Sequence, residues 1–333
     1  MNYKPILIVH GEPNSIFLEI FFKEIKFKKY KNPLILICSL RLLKFQMKKL
    51  KFKKKIRLIN SLDFNKSKLD NNFINIIDVK YNYSLTFQKI SNRSNKYIKN
   101  SFETAFKILK SGITNKFING PISKKNFFNN KFLGITEYLT NKFHVKKNAM
   151  LIYNKNLSVC PITTHLPLKS VTKMINKKVI FEKVSLIENF YKKNIGFSPN
   201  IAILGLNPHC ESVDRYNEDD KIIKPSIKKL IKKGFKVSGP YPSDTIFLKN
   251  NRKNFNVIVG MYHDQVLTPI KTLYEYDAIN ITLGLPFIRI SPDHGPNEKM
   301  LGKNLSNPLS LIKAITFLDK NWLELKKAWV KIF

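Results

Sequence analysis

Three of the six histidines follow short apolar runs, each in a polar setting: His165 in CPITTHLPL, His209 in ILGLNPHC and His263 in VIVGMYHDQ. A neutral imidazole is the commonest protein ligand for a transition metal, and three of them leave a coordination position open for substrate. Lys271, Asn280 and Arg289 follow downstream. An ammonium, a neutral amide and a fork-shaped guanidinium suit an anionic substrate, above all a phosphate. Arg289 interrupts the apolar run LPFIRI, and a cation inside such a strand requires an anion from protein or ligand. The set suggests metal-assisted chemistry on a phosphorylated small molecule.

The neighbours of the histidines add detail. Pro208 fixes a turn ahead of His209, and Asp264 beside His263 could orient its imidazole or touch substrate. Cys210 adjoins His209 and reads as a small, partly buried thiol rather than a fourth ligand. His10, His144 and His294 are the remaining histidine candidates, and His144, in the lysine-rich NKFHVKK, reads as exposed. The wide spacing of the three histidines matches no compact zinc finger, so spacing alone is weak evidence.

Apolar runs of strand length alternate with longer amphipathic stretches, which predicts βα units and a mostly parallel sheet, an α/β fold. The predicted strands are 5–10, 33–38, 117–122, 148–154, 200–208, 257–262 and the long run INITLGLPFIRI (279–290). Helices are expected near 14–27, 41–55, 101–111, 177–193, 221–233 and 306–328, with polar loops at 62–73 and 91–100. In open α/β sheets ligands bind beyond the carboxyl ends of the strands. NGPIS, TTH, NPH and YHDQ all fall just after predicted strands.

The 333 residues, 43% hydrophobic, can bury one large core or two medium ones. The formal charge of +36 invites a nucleic-acid or membrane partner. The lysines are spread from end to end, however, and Lys, Asn, Ile and Phe all have A/T-rich codons. Codon bias explains the charge, the lysines of 41–55 read as a solvated helix face, and neither specific nucleic acid nor membrane is expected as a partner. Three cysteines with no CxxC fit a reducing, cytoplasmic setting. The first residues read as a strand rather than a signal peptide, and no apolar stretch approaches the ~20 residues that span a bilayer. Neither GxGxxG nor GxxxxGK[ST] occurs, so the residues that would bind a nicotinamide cofactor stay unassigned.

The chain resembles the 4-hydroxythreonine-4-phosphate dehydrogenase family of vitamin B6 synthesis. The resemblance rests on GEP (11–13), NGPISK (119–124), GITEYL (134–139), TTHLPL (163–168), GLNPH (205–209), GPYPSDTIF (239–247), MYHDQ (261–265), NITLGLPFIR (280–289) and DHG (293–295). It implies two α/β/α domains like those of isocitrate and isopropylmalate dehydrogenases. The first would comprise 1–125 plus about 300–333, and the second, about 126–299, would carry most of the metal and substrate site, with a cleft between them. It also implies a homodimer whose active site is shared between subunits. His165, His209 and His263 would hold a divalent metal (zinc, magnesium or cobalt), Thr136, Lys271, Asn280 and Arg289 would bind substrate, and NAD or NADP would accept hydride.

The chain departs from that pattern in places. Ile135 stands where the family usually has a substrate-contacting histidine, and CESVDRYNEDD replaces the glycine-rich loop after NPH. DHGPN stands for DHGTA, and GEPNSIFLE for a glycine-containing first loop. Asp244 and Asp264 are both candidates for the group that takes the alcohol proton. Two rival readings are a relaxed or inactive homologue that binds nucleic acid through its charge, and a metal-dependent phosphoester hydrolase.

Overall fold

The computed structural model describes residues 3–60, 69–83, 87–123, 126–127, 132, 134–292 and 294–320. Among these, twelve strands run in chain order: β1 (Ile6–Val9), β2 (Leu34–Cys38), β3 (Ile56–Leu58), β4 (Ile74–Asp78), β5 (Lys116–Asn119), β6 (Ala149–Tyr153), β7 (Ser158–Pro161), β8 (Ile201–Leu204), β9 (Val237–Tyr241), β10 (Val257–Gly260), β11 (Ile279–Leu283) and β12 (Ile288–Ser291). The chain forms two compact units, one of residues 1–142 with 286–320, the other of 143–285.

In the first unit the strand order is β3-β4-β2-β1-β5-β12, and every pairing is parallel. The runs ILIV and LILIC are wholly buried, as strands covered on both faces must be. Helix Leu40–Lys49 begins at Ser39, whose hydroxyl accepts from the Leu42 amide, and it buries Leu42, Leu43 and Met47 while Lys44, Lys48 and Lys49 face solvent. The basic segment is therefore an ordinary amphipathic helix. It ends at Lys49, and the chain then enters β3.

In the second unit the order is β11-β6-β7-β10-β8-β9. β11–β6 and β6–β7 are antiparallel, and the rest are parallel. The β6–β7 hairpin turns on Asn154, whose side chain accepts from the Asn156 amide. Its core packs Val159, Ala202, Leu204, Ile258, Val266 and Ile270.

Several sequence expectations are corrected. The run 279–290 is two strands, because Gly284 adopts φ +95° and a Cβ there would collide with the Lys147 carbonyl oxygen. Residues 95–100 are not loop but the start of helix Asn95–Lys110, whose Tyr97 and Ile98 are buried. The closing helix runs Leu309–Asp319, and the part expected beyond 320 lies outside the described residues. The units divide at 142/143 and 285/286, against the expected 125/126 and 299/300. The reason is packing: β12 pairs with β5, and Tyr138 on helix Ile135–Lys142 sets its ring against Phe102 and Phe106. Thr136 and Arg289 thus belong to the first unit.

Candidate functional site

In the second unit the three histidine turns leave neighbouring parallel strands at their carboxyl ends. His165 follows β7, His263 follows β10 and opens helix His263–Tyr274, and His209 follows β8 in the turn Pro208–Cys210. The His165 and His263 rings lie 5.8 Å apart between centroids. That separation lets the two imidazoles share one ion at about 2.1 Å from a nitrogen of each. His263 Nδ1 lies 2.7 Å from Asp264 Oδ1, an arrangement in which Nε2 is the nitrogen that could coordinate a metal ion. His209 is exposed and sits at φ +55°. Among the described residues of one chain, no three His, Cys, Asp or Glu side chains gather closely enough to hold a metal. The chain brings His165 and His263 together and leaves His209 apart from them.

Cys210 is buried, and burial pushes its thiol up, with the carboxylates of Asp219 and Asp244 adding to the effect. A thiol held protonated is a poor metal ligand. Asp244 itself is exposed. Lys271, on the helix that His263 opens, is half-buried, and that burial holds its ammonium below the usual lysine range. Asn280 lies on β11, and its Oδ1 is buried with no hydrogen-bond partner among the described residues. An orphaned acceptor of this kind suits a ligand donor.

The first unit holds the guanidinium. Arg289, 1% exposed on β12, donates from Nε to Asn119 Oδ1 at 2.7 Å and from Nη1 to Thr136 Oγ1 at 3.4 Å. Burial pulls it down to about 9, and the Glu137 carboxylate opposes that fall. Ile135 opens the helix that carries Thr136. Asn119, in the NGPIS turn, is a contact that the sequence reading named only as part of a motif.

The other histidines divide simply. His10 is fully buried with Nδ1 3.1 Å from the Tyr97 hydroxyl, and burial pushes it down to about 3, so it is neutral. His294 is lowered by burial, and His144 is exposed as expected.

Glu12 of the GEP turn is also fully buried; its carboxylate accepts from the Asn14 amide at 3.2 Å and the Ser94 hydroxyl at 3.0 Å. Burial outweighs both bonds and raises it from 4.5 to about 7, with Glu298 adding to the rise. The folded state therefore holds this proton more tightly than the unfolded chain does. The associated stability is complete below pH 4.5 and lost as pH rises through about 7. A Glu12→Gln variant should show a smaller fall in unfolding free energy, read from urea titrations, between pH 5 and pH 8 than the unmodified protein, by up to about 3 kcal/mol. An equal fall in both would remove Glu12 from this role.

The family model for pyridoxal phosphate biosynthetic protein PdxA matches residues 29–318. The chain belongs to that family. A 4-hydroxythreonine-4-phosphate dehydrogenase of Sulfurihydrogenibium sp. is 37% identical over 316 residues, covering 93% of this chain and 96% of that protein. The solved 4-hydroxythreonine-4-phosphate dehydrogenase of Klebsiella pneumoniae superposes with a TM-score of 0.83 at 26% identity, over 95% of this chain and 97% of that one. The Burkholderia phymatum structure of the same name gives 0.79 at 25% identity, over 96% and 98%. The PdxA-family fold is thus shared along nearly the whole chain, and the expected α/β class with a mostly parallel sheet holds. No helix among the described residues is long and apolar enough to cross a membrane.

Proposed function

We propose that this PdxA-family chain is a 4-hydroxythreonine-4-phosphate dehydrogenase. It would oxidise the secondary alcohol of 4-phosphohydroxy-L-threonine with NAD (or NADP). The 2-amino-3-oxo acid phosphate so formed loses carbon dioxide to give 3-amino-2-oxopropyl phosphate, a step of pyridoxal 5'-phosphate synthesis. The observation that carries the reading is the 37% identity to a relative of that name across 96% of its length.

The donor set of paired imidazoles, one of them oriented by a carboxylate, fits a divalent cation of the zinc or cobalt kind better than magnesium, which takes oxygen ligands. Such a cation, when bound, supplies Lewis acidity that favours loss of the hydroxyl proton and steadies the charge left by decarboxylation. His165, His209 and His263 would hold it, with a second copy of the chain completing the set in a homodimer. Arg289 and Lys271 neutralise phosphate or carboxylate, and Asn280 fixes orientation. Thr136 receives a hydrogen bond from Arg289 at Oγ1, which leaves its own proton for a phosphate oxygen. Asp264 is engaged with His263, so it serves as the orienting carboxylate and Asp244 remains the candidate proton acceptor.

The purified protein with 4-phosphohydroxy-L-threonine, NAD and Co²⁺ should produce NADH, and a chelator should stop it. Phosphate release without NADH would instead favour the hydrolase. NADH formation that persists in chelator would remove the metal from the scheme.

A further inference from the structure

Gln265 is the third residue of helix His263–Tyr274 and is 9% exposed. Its Oε1 accepts from the Met261 amide at 2.6 Å, and its Nε2 donates to the Gly205 carbonyl at 2.8 Å. Met261 lies two residues before His263, and Gly205 four before His209. The bonds continue outward on both sides. The Met261 carbonyl accepts from Thr163 Oγ1 at 2.8 Å and from the Thr163 amide at 3.2 Å, two residues before His165. Beyond Gly205, the fully buried Asp219 accepts from the Leu206 amide at 2.9 Å, the Asn207 amide at 3.0 Å and Asn207 Nδ2 at 2.8 Å.

Two glycines leave room for this junction. A Cβ on Gly260 would lie 2.9 Å from Gln265 Oε1, and one on Gly205 would lie 2.7 Å from Asp219 Oδ1. An apolar side chain at 265 could fill the space, but it would strand the Gly205 carbonyl and the Met261 amide. One carboxamide therefore bridges the turns of His263 and His209, and Thr163 joins the turn of His165 to the other side of the same residue, Met261. Buried networks of this kind favour a single backbone arrangement.

We propose that Gln265 is a positioning residue that fixes the backbone from which the histidine turns leave their strands, and so tunes the affinity of those histidines for a divalent cation. The inference deepens the metal reading above and rests on it. Gln265 touches no ligand and acts through the histidines.

The test is a Co²⁺ titration of the full-length protein, followed by visible absorption, with far-ultraviolet circular dichroism as a check on folding. Unmodified protein should bind Co²⁺ with a defined visible spectrum. Gln265→Met should bind 10- to 100-fold more weakly, the range typical for groups that orient metal ligands, with a changed Co²⁺ spectrum and an unchanged dichroism spectrum. Gln265→Glu keeps the acceptor for Met261 but loses the donor to Gly205; it should show the same loss, and it carries the test if Gln265→Met does not fold. Wild-type affinity and spectrum in the folded variants would overturn the proposal and leave the metal reading intact. Unmodified protein that takes up no Co²⁺ would overturn both.

Discussion

His209→Ala is expected to lose more than about 100-fold in divalent-metal affinity and to show no measurable metal-dependent NADH formation, while its circular dichroism stays that of the unmodified protein. The magnitude follows from removing a ligand outright, which exceeds the 10–100-fold typical of groups that only orient ligands. The fold should survive because the imidazole is exposed and lies outside the core. Any residue with a Cβ bears about 1–2 kcal/mol of strain at φ +55°, and His209 already does, so alanine adds little there. Turnover within twofold of the unmodified protein would remove His209 from the ligand set.

Arg289→Met is the second large effect. A charge-assisted hydrogen bond contributes about 1.5–3 kcal/mol, and a guanidinium can offer a phosphate two, so kcat/KM should fall by about 10²–10⁴. The loss should concentrate in KM for the phosphorylated substrate, because phosphate binding persists from ground state to transition state. Stability should fall as well, by up to about 3–5 kcal/mol, because the substitution leaves Asn119 Oδ1 without its donor and the Glu137 carboxylate without the guanidinium that balances it, so the kinetics are read on variant protein shown to be folded. Arg289→Lys should recover only part of the activity, since a point charge cannot reproduce the fork. An unchanged KM in Arg289→Met would place the phosphate elsewhere.

The strands most legible in the sequence were those buried on both faces. ILIV, LILIC, IAIL and VIVG are apolar without interruption, and parallel strands inside an α/β unit leave no other pattern. The short or half-exposed strands escaped notice. Ile56–Leu58 is three residues with an arginine at its centre, and Val237–Tyr241 contains glycine and proline. INITLGLPFIRI read as one strand because its composition is continuous, and only the left-handed conformation at Gly284 breaks it.

The site divided along similar lines. Imidazoles and a guanidinium announce themselves by type, and the turns after strands were visible from local patterning. Arg289 as an intruder in an apolar run led to a buried cation with an amide and a hydroxyl around it. Gln265, Asn119 and Asp219 could not be found that way. A glutamine or asparagine is ordinary in any sequence, and its role here is set by a partner far away along the chain: Gly205 for Gln265, Arg289 for Asn119. The third imidazole is harder still, because one chain assembles only two of the three rings.

Diffraction from crystals grown with Co²⁺ or Zn²⁺, recorded at the metal's absorption edge, is the most direct test. One anomalous peak per active site is expected, about 2.1 Å from a ring nitrogen of His165, His209 and His263, counting rings from a second protomer. A peak at other residues, or none beside the His165–His263 pair, would contradict this ligand set.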